Sequence, residues 1–328
     1  MAIEATANPV TKTPSMLGGA MIIAGTAVGA GMFSLPTVSS GMWFSLSLLC
    51  LVFTWFCMLH SGLMILEANL NYPAGASFNS FVKDLLGPGW NLAAGVAVAF
   101  VHYILTYAYI SGGGSIVIHS LESTLGTAPP AALSTLLFAF GLAFIVWLST
   151  RAVSRIATIL LGGMVITFLI SIADLSFSVK AAILFNTQEE QAHYLPFLFA
   201  ALPYFLTSFG FHGNVPCLMK YYGKNPTVIR NCLFYGSLLS LMVFVLWQLS
   251  TMGNIPRPEF KQIIADGGNI GVLVAAVSEV VDSANLSVLL SAFANLAVVS
   301  SFLGVALALF DYIADRFAFS DSSLGRFK

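Results

Sequence analysis

The chain has 328 residues, a formal net charge of −1, 58% hydrophobic but only 8% charged residues, and a mean hydropathy of +0.88. Soluble domains carry about 25% charged residues, so this composition excludes a soluble globular protein. The near-neutral charge offers nothing to nucleic acid. What remains is an all-α polytopic membrane protein whose first partner is the lipid bilayer.

A bilayer span needs about 20 mostly apolar residues. Such segments are expected at about 15–36, 41–66, 92–118, 131–149, 155–177, 195–220, 231–252 and 284–310. Residues 1–14 hold one lysine, Lys12, and no small-residue cleavage site behind a short apolar core. They read as a cytoplasmic tail, with no removable signal peptide, ahead of one transmembrane domain at 15–328. With the N-terminus inside, ten basic residues fall on the inner side and three, Lys180, Arg257 and Lys261, on the outer side. That asymmetry orients the chain with both ends cytoplasmic.

The first span carries GGAMIIAGTAVGAGMFSLP from Gly18 to Pro36, with Gly25, Thr26, Gly29 and Gly31 at its middle. Glycine inside a helix costs about 1 kcal/mol against alanine, so a span rich in it at mid-depth is expected to be broken there. In hydrocarbon, non-helical backbone is tolerated only where protein or a watery cavity satisfies it. The break therefore reads as a binding site.

The second span carries Glu67 in its inner half, close to the interface; an intramembrane acid is a functional candidate, and one at the interface can also simply cap or snorkel. Residues Ser77 to Gly87 follow a one-sided helical pattern and suggest a short surface helix. The third span holds His102, Tyr103 and Tyr107. The two tyrosines are four residues apart, share a helix face, and are expected to line a substrate path or to pack against a neighbour. His102 is a structural or relay histidine.

The sixth span is the second anomaly. LPYFLTSFGFHGNVPCLMKYYG, Leu202 to Gly223, places Ser208, Gly210, His212, Gly213, Asn214 and Pro216 in the middle of an apolar run. Proline removes one helical hydrogen bond and clashes with the preceding turn. Two Gly/Pro-interrupted spans, five helices apart and opposite in direction, point to a secondary transporter's midplane site. The long outer segment from Gly253 to Asp282 is expected to act as a gate. The last span brings Ser300 and Ser301 into the membrane, where hydroxyls bond their own helix or coordinate a cation. The four cysteines, Cys50, Cys57, Cys217 and Cys232, lack metal spacing and read as packing residues. No metal site, enzyme nucleophile–base set, phosphate loop or channel filter is visible.

These runs together resemble the hydroxy/aromatic amino acid permeases, and within them the bacterial tryptophan-specific permeases. The resembling stretches are IIAGTAVGAGMFSLP, FTWFCMLHSGLMILEANLNYP, YILTYAYIS, TSFGFHGNVPCLMKYYGKNP, TMGNIPRPEF and SSFLGVALALFDYIADRF, which cover nearly the whole chain. The resemblance implies a LeuT-like fold of inverted repeats, here about 15–177 and an incomplete 195–328. It also implies uptake of an aromatic amino acid, most simply tryptophan, by proton symport across the bacterial inner membrane.

Carried onto this chain, the resemblance makes Gly25 to Gly31 the unwound part of the first span, its outer half-helix facing the substrate carboxylate. Carbonyls from Ser208 to Asn214 would take the amino group, and Phe209, Phe211 and Tyr103 or Tyr107 would face the indole. The family runs to about eleven spans, so the C-terminal helices are expected to be missing. A truncated, non-transporting remnant is the alternative in another class. Met164 stands where related proton-coupled permeases have a lysine. Coupling candidates are then Glu67, His102 and His212, with Ser300 and Ser301 leaving sodium open. No cofactor beyond the coupling ion, read as a proton, is implied, and the oligomeric state is left open.

Overall fold

The fold is that of a computed structural model describing residues 15–318 apart from 74–75, 128, 149, 188–192, 267, 269 and 282–283. Among the described residues all regular structure is helical. The expected N-terminal tail at 1–14 and the end of the chain beyond Ala318 lie outside them.

The first segment is two helices, α1 (Met16–Ala27) and α2 (Ala30–Ser39), set at 47° to each other. Ser15 caps α1 through its side chain, which accepts from Leu17 N at 3.2 Å. α3 (Trp43–Leu70) is a continuous span. α4 (Phe78–Leu125) bends at Gly87, whose φ of 84° only glycine adopts without strain, with Pro88 following. The expected short helix thus leads into the third span across a glycine hinge.

α5 (Ala131–Leu148) and α6 (Thr150–Phe177) follow, then the single turn α7 (Ala181–Leu184). The expected sixth span is split into α8 (Pro196–Ser208) and α9 (Val215–Tyr221), separated by a 3-10 turn at His212–Asn214. α10 (Pro226–Met252) starts at a capping Asn225, whose side chain accepts from Val228 N, with Pro226 in the first turn. The expected outer segment folds into α11 (Phe260–Ala265) and α12 (Ile270–Val281), and α13 (Ala284–Phe317) closes the described chain.

Five of these helices are long and apolar enough to cross a membrane, six when the bent α1–α2 pair counts as one span. The α5 segment is apolar but shorter, and α8 and α9 are each too short alone. α13 is the most enclosed of the spans and packs along α6 and α4, while α1 lies along α10 and α3 meets α8 and α9. Small residues permit these approaches. A Cβ at Gly236 of α10 would come within 2.6 Å of the Ala20 carbonyl of α1.

The core beside the break is aromatic: Phe33 packs edge-on against Trp247 at 5.4 Å between ring centroids and tilts against Phe293 at 5.1 Å. None of the four cysteines is bridged, and Cys50, Cys217 and Cys232 are buried among helices, as packing residues are. Arg257 anchors the outer segment by donating to the carbonyls of Ser40 and Gly41 at 3.2 and 3.0 Å, and Phe260 packs edge-on against Trp43.

Candidate functional site

The two helix breaks meet. α1 keeps its hydrogen-bond ladder through Ala27, and the chain leaves helical geometry only at Val28 and Gly29, with Gly29 at φ −130° and ψ −159°. The interruption is therefore narrower than the expected Gly25 to Gly31: Gly25 and Thr26 are still helical. Thr26 donates to the Ile22 carbonyl at 2.7 Å, which holds its oxygen close to the backbone while leaving lone pairs outward. Asn214, at the end of the second break, reaches that oxygen and donates to it at 2.9 Å. One buried amide thus ties the two interruptions together.

Ser301 of α13 donates to the Gly25 carbonyl at 3.0 Å, with the Val28 carbonyl at 3.5 Å, and Ser300 donates to Ala297 at 3.1 Å. Carbonyls freed by the break are satisfied by a neighbouring helix, as hydrocarbon demands. The close approach explains Gly29, because a Cβ there would overlap Ser301 and lie 3.0 Å from the Tyr109 hydroxyl. From α8, ahead of the second break, the Tyr204 hydroxyl donates to the Gly31 carbonyl of α2 at 2.9 Å.

Beside this junction lies a cavity of about 970 Å³. Thr26, Ala27, Gly31 and Ser34 line it from the α1–α2 side, Tyr204, Ser208 and Gly210 from α8 and the second break, and Leu105 and Tyr109 from α4. Asn295 of α13 and Val274 of α12 complete it, so the segment between α10 and α13 reaches the chamber. Its size is at the upper end of the about 300–1,000 Å³ usual for small-molecule sites, and its wall is apolar with a few convergent polar groups.

Of the residues expected to bind substrate, Thr26, Gly31, Ser208 and Gly210 line the cavity. Gly25, Gly29 and Asn214 stand behind them at the junction. Phe209 and Phe211 are fully buried in packing: Phe209 lies 5.0 Å from Phe244, and Phe211 stacks on His212 at 4.8 Å. Gly213 makes room for α13 and α4, since its Cβ would fall 3.0 Å from Ala308 Cβ.

Tyr103 and Tyr107 do share a face, but it is the outward one, 68% and 65% exposed in this chain. The cavity takes Tyr109 instead, 7% exposed. Two residues along a helix turn the side chain by about 200°, so the spacing that pairs the first two tyrosines sends the third to the opposite side. The sequence signals missed were Tyr109, in the same tyrosine run, and Tyr204, one turn ahead of Ser208.

Among the coupling candidates, Glu67 is exposed on α3, further along that helix than the Ser61 that meets the second break. His212 places Nε2 at 2.7 Å from Ser61 Oγ of α3. His102 is half-buried, its Nδ1 at 2.7 Å from the Val98 carbonyl. Met164 is buried in the apolar core.

Replacing Asn214 by alanine removes the amide that joins the breaks and leaves Thr26 without its donor. Losing one side of a buried hydrogen bond costs about 1–3 kcal/mol, so the variant is expected to be less stable by about that amount. Thermal unfolding of the detergent-solubilised variant checks this; an unchanged midpoint would deny the amide any part in holding the two breaks together.

The fold and sequence both have known counterparts. MhsT, solved in complex with L-phenylalanine, superposes with a TM-score of 0.68 over 95% of this chain and 76% of its own, at 16% identity, which places the chain in the LeuT-type fold. A tryptophan-specific transport protein of Pseudomonas aeruginosa (strain UCBPP-PA14) is 58% identical over 322 residues, 98% of this chain and 77% of the relative. The low affinity tryptophan permease of Escherichia coli (strain K12) is 46% identical over 97% of this chain and 77% of its own length. A tyrosine permease of Enterobacter agglomerans is 42% identical over 96% of this chain. These relatives are membrane carriers, not enzymes. The profile of the tryptophan/tyrosine permease family matches residues 12–328, and the chain belongs to that family.

Proposed function

We propose that this chain imports an aromatic amino acid, tryptophan foremost, by proton symport across the bacterial inner membrane. The observation that carries the reading is the cavity at the junction of two broken helices, lined by Thr26, Gly31, Ser208 and Gly210. A zwitterion with a flat apolar ring suits that wall. The N-terminal end of α2 offers unpaired N–H groups and a positive dipole end to a carboxylate. Carbonyls around Ser208 and Gly210 suit an ammonium group, and the apolar remainder suits the ring.

In this reading eight spans cross the membrane, with α1–α2 and α8–α9 each counted as one, and the N-terminus is cytoplasmic. Two inverted repeats are supported by the packing: α1 against α10 and α8–α9 against α3 are counterpart pairs under such a symmetry. Alternating access moves the two broken helices and their neighbours against α4, α5 and α13.

A sodium-coupled carrier is the second reading, favoured by one feature. The carbonyl oxygens of Gly25 and Val28 gather around the Ser301 hydroxyl, with Ser300 beside it, an all-oxygen environment that a hard cation accepts. Labelled tryptophan uptake into proteoliposomes decides between them, with an inward proton gradient, a sodium gradient, or neither. Uptake driven by the proton gradient alone is expected. Uptake that needs sodium would shift the coupling to Ser300 and Ser301, and no uptake from folded protein would remove the carrier reading.

A further inference from the structure

Along α4, the residues that line the cavity are Leu105, Ala108, Tyr109, Gly112 and Ile116, which share one face of the helix. His102 extends that stripe by one turn, beneath the cavity. The contacts of α4 with α13 show the two helices antiparallel. Tyr109 and Ser301 meet at Gly29, His102 and Ala308 meet at Gly213, and the Tyr312 hydroxyl approaches Gly95. His102 thus stands between the chamber and the far end of the helix pair.

Its chemistry at that place is set. The Val98 carbonyl can only accept, so Nδ1 carries hydrogen. In the neutral ring Nε2 is then bare, and it faces the second helix break, 3.4 Å from the position a Gly213 Cβ would take. Two polar atoms close by in the chain are buried without a partner: Asn214 Oδ1, on the residue next to Gly213, and Thr106 Oγ1, one turn along α4 from His102. Buried polar atoms are nearly always paired, and the Asn214 amide oxygen can only accept, so it is left wanting a donor when the ring is neutral.

The other titratable groups on the neighbouring elements are His212 on the second break, Cys217 and Lys220 on α9, Tyr109 on α4, and Asp311, Tyr312, Asp315 and Arg316 on α13. His212, on the break itself, turns to Ser61 of α3. On α13, Asp315 is held by Ser77 and Ser80, Tyr312 lies beside Gly95, and Asp311 is one turn beyond Ala308. Tyr109 lies on the cavity side. α1 and α2 carry no ionisable side chain.

We propose that His102 is the side chain that carries the coupled proton, sensing the second helix break through Nε2, an inference that rests on the proton-coupled reading above. A proton arriving through the cavity adds to Nε2. The imidazolium then presents a donor to the break and its unpaired acceptor, which favours the arrangement that holds substrate. When the carrier opens to the other side, the same N–H bond breaks and the proton leaves there. One N–H bond forms and breaks per cycle, and one positive charge crosses.

The test uses the whole chain in proteoliposomes, unaltered and as His102→Gln and His102→Asn. Labelled tryptophan binding between pH 5 and 9 is measured alongside uptake driven by a proton gradient. The unaltered chain is expected to bind more tightly as pH falls and to take up tryptophan with the gradient. Both variants are expected to lose gradient-driven uptake at least roughly tenfold and to bind with a flat pH profile, while still binding tryptophan at high pH. Binding at high pH shows that a variant is folded. A variant that keeps proton-driven uptake, or that binds with the original pH profile, overturns the assignment of His102. Tryptophan uptake by the unaltered chain that ignores the proton gradient overturns the proton-coupled reading instead, and the inference falls with it.

Discussion

Replacing Gly29 with leucine is expected to abolish tryptophan uptake while leaving the protein in the membrane. Even a Cβ at this position would overlap Ser301 and crowd the Tyr109 hydroxyl, and a leucine side chain adds three carbons more. Ser301 is the group that satisfies the Gly25 carbonyl, with Val28 close by, so pushing it away strands carbonyls that α1 itself no longer pairs. Overpacking costs about 1–3 kcal/mol, and each stranded buried acceptor costs a similar amount. Insertion depends on the summed hydropathy of the span, which leucine raises. Uptake assays beside a membrane-fraction blot check both halves. Normal uptake by the variant would mean that the break at Gly29 has no part in transport.

The second large effect is on stability. Asp315, near the end of α13, gathers four hydrogen bonds at the start of α4. Its Oδ2 accepts from Ser77 N at 3.1 Å, Ser77 Oγ at 2.8 Å and Ser80 N at 3.1 Å, and its Oδ1 accepts from Ser80 Oγ at 2.5 Å. A helix start leaves backbone N–H groups without partners inside the helix and carries a positive dipole end. Here a carboxylate from a helix more than two hundred residues away supplies the cap. Hydrogen bonds to a charged group are worth about 1.5–3 kcal/mol each and do not simply add. Asp315→Ala is therefore expected to destabilise the protein by about 2–4 kcal/mol. Asp315→Asn should lose roughly half as much, because its amide oxygen still accepts but its nitrogen does not. Thermal unfolding in detergent reads the order: unaltered, then asparagine, then alanine. Equal midpoints for all three would show the cap to be dispensable.

That cap illustrates how the chain is held. Its spans are apolar on most faces, so water exclusion does little to order them once inside a bilayer, and packing with scarce polar contacts must do it. The Asn214–Thr26 bond, the Tyr204–Gly31 bond and the Gln248 amide, which donates to Ser39 Oγ at 2.9 Å, each join helices distant in sequence. Each also sits close to a place where a helix is interrupted or ends.

Hydropathy and the placement of glycine and proline were enough for the class of the protein, the approximate extent of its long apolar helices, and the two places where helices break. Those features are local: hydropathy sums over a window, and glycine and proline act on their own turn of backbone. The sequence also made Gly31, Thr26, Ser208 and Gly210 visible as polar or small residues where an uninterrupted span would not carry them. Only the tertiary structure decided which face of α4 meets the cavity. Tyr103, Tyr107 and Tyr109 are equally suitable by type, and their separation comes from how α4 is rotated against α13, a property of packing that helical periodicity does not fix. The same holds for Phe209 and Phe211, which face into the packing beside α10 and α3 because the break turns the chain there. The narrowing of the first break to Val28 and Gly29 is likewise tertiary. Gly25 has room for a side chain, its Cβ position lying 3.8 Å from Leu161, whereas Gly29 is pressed against Ser301. A glycine's tolerance for the break is written in the chain, but which glycine must be bare depends on what the fold sets against it.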